Sequence, residues 1–206
     1  MQTQAALVPL FSVQTVAVDV EKFMPFLRSE FKRQQKDIVG VAGNTEFQTT
    51  LKTYGLTATN NIDLPKNAQA DELIVFIEDF AMSYAAVCGY DTRTYKARLK
   101  NFWLNEMKSK SVHEKHSHYG SHFSGVIYVD VPANAPGITF ESPTTRFDKS
   151  SLKISTYTHN NSNVWELPAG EGKMYVWESW LQHQVVSKEF EGIRRSIAFD
   201  VVFEEV

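Results

Sequence analysis

Four of the six histidines fall within ten residues, His113, His116, His118 and His122 in VHEKHSHYGSH, and a fifth, His183, lies far downstream in WESWLQHQVV. Neutral imidazole is the commonest protein ligand for a metal ion. A His-x-His pair such as His116 and His118, set on a strand, turns both rings to one face because side chains alternate with period two. A third histidine arriving from a distant strand completes a three-ligand centre with open coordination positions, the arrangement of non-haem iron sites that handle oxygen. Arg194 follows His183 after ten intervening residues. From a neighbouring strand its planar guanidinium can hold an anion beside the metal.

Each feature also has a plainer reading. The histidine cluster alone suits a polar loop, an isolated His183 suits a satisfied core histidine, and Arg194 suits a surface charge. His183 lies between aromatic YVWESW and apolar VV, where an unpartnered ring is costly to bury. In RRSIAFDVVF, alternation puts Arg194, Ser196, Ala198 and Asp200 on one face and Arg195, Ile197 and Phe199 on the other. One of the two arginines must therefore point inward or line a cavity.

The elements that position these groups follow from periodicity. LVPLFSVQTVAVDV predicts a strand. DVEKFMPFLRSEFKRQQKD predicts a helix with Phe23, Phe26, Leu27 and Phe31 on its apolar side and Asp19 as its cap. Residues 39–70 predict a long irregular connection. ADELIVFIEDFAMSYAAVCGY predicts the clearest helix, about 71–88, with Leu73, Ile74, Phe76, Ile77, Phe80, Ala81 and Tyr84 facing a sheet and Gly89 as its stop. From Lys96 onward RLKNFWLNEMK, HFSGVIYVDVP, GITFES, SLKISTYT, KMYVWES and RRSIAFDVVFEEV are short runs rich in β-branched and aromatic residues, the spacing of a β-sandwich or barrel. Trp177 and Trp180 read as wall and core.

Composition sets the outer bounds. A chain of 206 residues suits one domain with a proper core, residues 1–100 supplying a strand and supporting helices and 101–206 the β core. Its formal charge of −3 points away from generic nucleic-acid binding. The single cysteine, Cys88, permits no internal disulfide and no cysteine-based zinc site, and its apolar run reads as burial. The N-terminus lacks a signal-peptide pattern and no run reaches membrane-spanning length, so the expectation is a cytoplasmic protein without membrane contact.

HSHYGSHFSGVIYVDVP, then GITFESP, then LPAGEGKMYVWESWLQHQV, then RRSIAFD resembles a family of 2-oxoglutarate/Fe(II)-dependent oxygenases. That family's pattern runs approximately His-x-His-Pro-x-Ser-x-Leu-Ser-Gly-Val-Tyr-Tyr, then a Gly-x-x-x-Phe-Asp-Pro-like strand, then Phe-Pro-Ser-Trp-Leu-x-His-x-Val, then Arg-x-Ser-x-Ser-Phe-Asn. Trp103 and Asn105, thirteen and eleven residues before His116, match its upstream Trp-x-Asn. The likeness covers about residues 101–203 and is silent on substrate. It implies a double-stranded β-helix, or jelly roll, of the cupin-like kind. It also implies His116 and His183 as iron ligands and Arg194 with Ser196 on the distal carboxylate of 2-oxoglutarate, with Asn105 and Tyr128 near the cosubstrate.

The wider superfamily carries a carboxylate where His118 stands. The third ligand therefore stays open between His118 and a carboxylate such as Glu141 or Asp130. With His118 the site falls one negative charge short, which an outer carboxylate orienting a ligand histidine would offset. Tyr119 replaces the family's Pro, and His113 and His122 read as surface residues in preference to site lining. The implied activity is a dioxygenase, a hydroxylase of an unidentified substrate, that uses Fe(II), 2-oxoglutarate and molecular oxygen and yields succinate and carbon dioxide. The alternatives are a three-histidine cupin-type dioxygenase without 2-oxoglutarate, with Arg194 on the substrate's own carboxylate, and a jelly-roll binding or structural module without catalysis.

Overall fold

The computed structural model describes residues 6–10, 13–40, 54–59, 61–143, 153–158 and 161–206. The N-terminal part holds β1 (Ala6–Leu10), β2 (Val13–Asp19), α1 (Met24–Arg33), β3 (Val39–Gly40), β4 (Tyr54–Ala58) and α2 (Ala68–Val87). There follow β5 (Tyr95–His116), β6 (Phe123–Asp130), β7 (Ile138–Glu141), β8 (Val164–Leu167), β9 (Lys173–Glu178), β10 (His183–Val185) and β11 (Arg194–Glu205). Hydrogen bonding orders the strands β1-β2-β9-β6-β11-β5-β10-β7-β8, with β4 also beside β5 and β3 beside β4. These pairs are antiparallel.

β5 belongs to both layers of the jelly roll. Its first part, Tyr95 to Met107, pairs with β11, and His113 and His116 pair with β10. Between them Lys110 takes a left-handed φ of 65° and donates its N–H to the Lys188 carbonyl, which marks the crossing from one layer to the other. The sheet curls so that β7 and β8 face β6 and β9. Val126, Tyr128, Ile138, Phe140, Tyr175 and Trp177 fill the space between.

The outer face of the larger layer is covered by the helices. Ile197, Phe199 and Val201 of β11 share one apolar cluster with Phe26, Leu27 and Phe31 of α1 and Leu73, Ile77 and Ala81 of α2. The α2 residues recur every four positions, so they form one stripe, and each large side chain buried there stabilises the fold by roughly 1.5–3 kcal/mol. Phe199 lies across the ladder from Gly125, where a Cβ would come within 2.2 Å of its ring. The missing side chain is what lets that ring seat. Asn67 caps α2 by accepting the Ala70 N–H at 2.9 Å, and Gly89, at φ 87°, lets the chain leave it.

Several expectations need correction. The opening segment is a hairpin, β1 with β2, instead of one strand. Asp19 does not cap α1: it is the last residue of β2, paired with Lys173, and the chain enters α1 through a 3-10 turn, Glu21–Phe23, with Pro25 in the first helical turn. Cys88 is exposed: it is the C-cap of α2 and lies beyond the last buried residues of that helix, Tyr84 and Ala85. The connection at 39–70 contains β3, β4 and the start of α2; its residues 41–53 and 60 lie outside the described residues. SLKISTYT begins outside them too, and its described part, 153–158, is not a strand. Among the described residues, no helix is long and apolar enough to cross a membrane.

Candidate active site

His116 on β5 and His183 on β10 are direct cross-strand partners, with ring centroids 4.3 Å apart. Two residues past His116, His118 keeps the same side, and its N–H donates to the Ser179 carbonyl. Its ring stacks on that of His183 at 5.1 Å and lies 5.2 Å from that of His116. One nitrogen from each of the three rings falls within 4.8 Å of the others, a grouping that could hold a metal ion.

The hydrogen bonds fix the tautomers. His116 Nδ1 is 2.7 Å from the Glu114 carbonyl and His183 Nδ1 is 3.0 Å from the Leu181 carbonyl. A carbonyl only accepts, so both nitrogens carry the proton and both Nε2 atoms keep a lone pair. His118 Nδ1 donates to Asp200 Oδ1 at 2.9 Å, which leaves its Nε2 facing that of His183 at 3.2 Å. Two bare lone pairs at this distance would repel, so either a proton shared between the rings or a metal ion accounts for the approach. Burial, reinforced by the neighbouring imidazoles, holds His183 well below the ordinary histidine range and His116 at about 4. Both are therefore neutral at pH 7, the form that binds a metal. The donor set thus fits a divalent first-row ion such as Fe(II).

Asp200 was not assigned a role from sequence. It is buried, accepts from His118, Ser124 and Asn101, and its carboxyl is held below the usual range: burial opposes this, but those three donors outweigh it. Two signals pointed to it. Alternation put it on the Arg194 face, and RRSIAFD ends in Asp where the family pattern ends in Asn.

The same face of β11 builds a second group. Tyr128, Ser196 and Asn105 are register partners in a row across β6, β11 and β5, and Arg194 lies one inward position along. Arg194 is only 2% exposed. Its guanidinium donates to the Pro136 carbonyl at 2.9 Å and to Ser196 Oγ at 3.2 Å, and lies 4.9 Å from the Tyr128 ring centroid. No carboxylate among the described residues pairs with it. A buried cation without a counter-charge costs several kcal/mol, so an anion is expected to complete this site. The Tyr128 hydroxyl and Trp177 Nε1 are buried without a hydrogen-bond partner of good geometry. Burial pushes the Tyr128 phenol up to about 12, against the pull of the Arg194 charge. A cavity of about 50 Å³ joins the two groups and is lined by all three histidines, Asn105, Tyr128, Trp177, Arg194 and Ser196.

The other candidates lie elsewhere. Arg195 is on the outer face, bound to Glu106 at 2.7 Å and Asp130 at 3.1 Å. Asp130 also accepts from Arg28, and Glu141 pairs with Lys115 at 2.8 Å, so neither carboxylate joins the histidine group. His113 departs from its surface reading: its ring stacks on that of His116 at 4.1 Å and lines the cavity. His122 lines a separate pocket and accepts the Phe203 N–H. Trp103 stacks on His118 at 5.6 Å. Trp177 is buried wall as expected, but Trp180 is half exposed.

Residues 101–200 match the family model described as "Putative 2OG-Fe(II) oxygenase". No curated protein matches the chain. Solved structures that resemble it include a Pseudomonas putida prolyl-4-hydroxylase, 12% identical with a TM-score of 0.54 over 97% of this chain and 93% of that one. SnoN, a non-haem alpha-ketoglutarate-dependent epimerase from nogalamycin biosynthesis, is 13% identical with a TM-score of 0.60 over 91% and 78%. HygX from Streptomyces hygroscopicus, solved with nickel and 2-oxoglutarate bound, is 14% identical with a TM-score of 0.56 over 93% and 83%. At such identities these likenesses speak for the double-stranded β-helix alone. The matched segment, 100 of the 206 residues, carries His116, His118, His183 and Arg194, and in it the chain is similar to the 2-oxoglutarate- and Fe(II)-dependent oxygenases.

Proposed function

We propose that the chain is a 2-oxoglutarate- and Fe(II)-dependent dioxygenase that hydroxylates its substrate, with His116, His118 and His183 as the iron ligands. The observation that carries this reading is Arg194: a buried guanidinium without an acidic partner among the described residues, sharing one cavity with three histidines that each bring a ring nitrogen within 4.8 Å of the others. When bound, Fe(II) with 2-oxoglutarate supplies oxygen-activating chemistry whose co-products are succinate and carbon dioxide.

The chain's own residues bind and orient. Arg194 and Ser196 hold the distal carboxylate of the cosubstrate, since a guanidinium fork matches a carboxylate better than an ammonium does. The free Tyr128 hydroxyl is a further donor to that anion, and Asn105 closes the row beside Ser196. The Glu114 and Leu181 carbonyls hold the His116 and His183 rings in the tautomer that presents Nε2. Asp200 does the same for His118 and returns to the site the negative charge that an ordinary His-x-Asp triad would carry. Phe140 and Trp177 pack on His183 and keep water from that side.

The all-imidazole donor set supports a second reading, a three-histidine dioxygenase without 2-oxoglutarate. Anaerobic titration with Fe(II) and 2-oxoglutarate, followed by an oxygen pulse, tests both. The expected result is a metal-dependent rise in Tm on adding 2-oxoglutarate and slow release of succinate without substrate. Metal binding without any 2-oxoglutarate effect would favour the second reading. Failure to bind Fe(II) at all would favour a non-catalytic module.

A further inference from the structure

Beyond the histidine cavity, a larger pocket of about 370 Å³ opens where the C-terminal end of α2 meets the loop between β5 and β6. Its volume is within the range of small-molecule sites. Five of its walls are the aromatic rings of Tyr90, Tyr95, Phe123, Trp180 and Phe203, and three of these are unusually open to solvent: Tyr90 at 54%, Trp180 at 50% and Tyr95 at 37%. Rings that do not serve the core and line a concavity mark a place where something else is to be covered.

The pocket's charge narrows what that is. It contains two carboxylates and no Lys or Arg. Asp91 is already engaged by Arg93, through two nitrogens. Glu178 forms no ion pair among the described residues; it accepts a hydrogen bond from the neutral Tyr90 hydroxyl, which aims the carboxylate without cancelling it. That bond and the nearby charge push the Tyr90 phenol up to about 12, so the tyrosine stays a donor. An uncancelled carboxylate among ring faces attracts a positive group twice, by charge and by the ring quadrupoles.

We propose that this pocket binds an organic cation, an alkylammonium or guanidinium group on an apolar stem. Glu178 takes the charge, and Trp180, Tyr90 and Tyr95 cover the stem. The site is joined to the histidine cavity by the backbone: the carbonyl of Ser179, next to Glu178, accepts the His118 N–H, and the Ser179 N–H donates to the His122 carbonyl. It is built from residues outside the proposed metal and cosubstrate groups, so it does not depend on the dioxygenase reading.

The test uses the full chain, with and without Fe(II), titrated calorimetrically with choline and with its neutral isostere 3,3-dimethylbutan-1-ol. Choline is expected to bind in both forms and the isostere at least about tenfold more weakly, the scale of one desolvated cation–π contact. Glu178→Gln keeps a partner for Tyr90 and is expected to weaken choline about tenfold; Trp180→Ala is expected to weaken both probes, with Tm unchanged in each variant. A blocked tripeptide, acetyl-Gly-Lys-Gly-amide, separates the sources: tighter binding than choline points to a protein side chain, weaker binding to a free amine. Equal affinity for choline and the isostere, no effect of Glu178→Gln, or no choline binding by the wild-type chain would overturn the proposal, whatever the metal does.

Discussion

Arg194 and Arg195 are adjacent on β11, yet the two faces of that strand give them opposite circumstances. Arg195 lies on the outer face, partly exposed, between Glu106 and Asp130, with its guanidinium 5.7 Å from the Phe31 ring centroid of α1. Its charge is answered within the chain. Arg194 lies on the inner face, almost wholly buried, held by a carbonyl and a hydroxyl but met by no carboxylate among the described residues. The contrast extends along the strand. The outer face continues as Ile197, Phe199 and Val201 against the helices, while the inner face continues as Ser196 and Ala198 along the cavity and Asp200 behind His118. One face completes the fold with its own residues, and the other leaves polar groups for something to complete.

The strongest way to break that contrast is at its metal end. His116→Ala, His118→Ala and His183→Ala are each expected to weaken Fe(II) binding by more than about a hundredfold, beyond the usual cost of losing an outer-sphere partner. Glu141→Ala and Asp130→Ala are expected to leave it unchanged. Full affinity in His118→Ala with loss in either carboxylate variant would remove His118 from the metal.

Asp200 sharpens the same end. Asp200→Ala is expected to lower Fe(II) affinity about 10–100-fold in a competition titration. His118→Asp alone would bring two carboxylates together, so it is expected to bind Fe(II) less well than His118→Asp combined with Asp200→Asn. If the double variant is the weaker of the two, Asp200 does not act through charge on this ligand.

The arginines give the direct comparison. Arg194→Lys keeps the charge but loses the fork, and is expected to weaken 2-oxoglutarate binding about tenfold. Arg195→Lys is expected to change it by less than about twofold. Equal losses in a cosubstrate titration would show that the inner face is not special.

The smallest effect is one of pH. His116 titrates near 4 in the folded chain, against about 6.5 when unfolded. The folded form thus binds fewer protons between these values. The stability this contributes is present above pH 6.5 and is lost as pH falls toward 4. The Tm of the metal-free protein is expected to drop across that window, with the His116 ring signal in an NMR titration moving near pH 4. A midpoint near 6.5 would mean that the ring is not desolvated as described.

Much of this was legible in the chain itself. Period-two alternation is a local property, so RRSIAFD alone separated Arg194, Ser196 and Asp200 from Arg195 and Phe199, and the four-residue recurrence of Leu73, Ile77 and Ala81 fixed α2 and its buried stripe. His-x-His and the spacing from His183 to Arg194 likewise named the residues that meet. Tertiary structure decided whatever depended on partners distant in sequence. Nothing local says that β10 places His183 opposite His116, that Asp200 reaches His118, that Asp130 and Glu141 are taken by Arg195, Arg28 and Lys115, or that burial along α2 stops at Ala85 and leaves Cys88 in solvent. Side-chain direction along a strand is written in the sequence. Whether the group it points at is a counter-charge, a ring or an open cavity is set only when the sheet curls and its far edges meet.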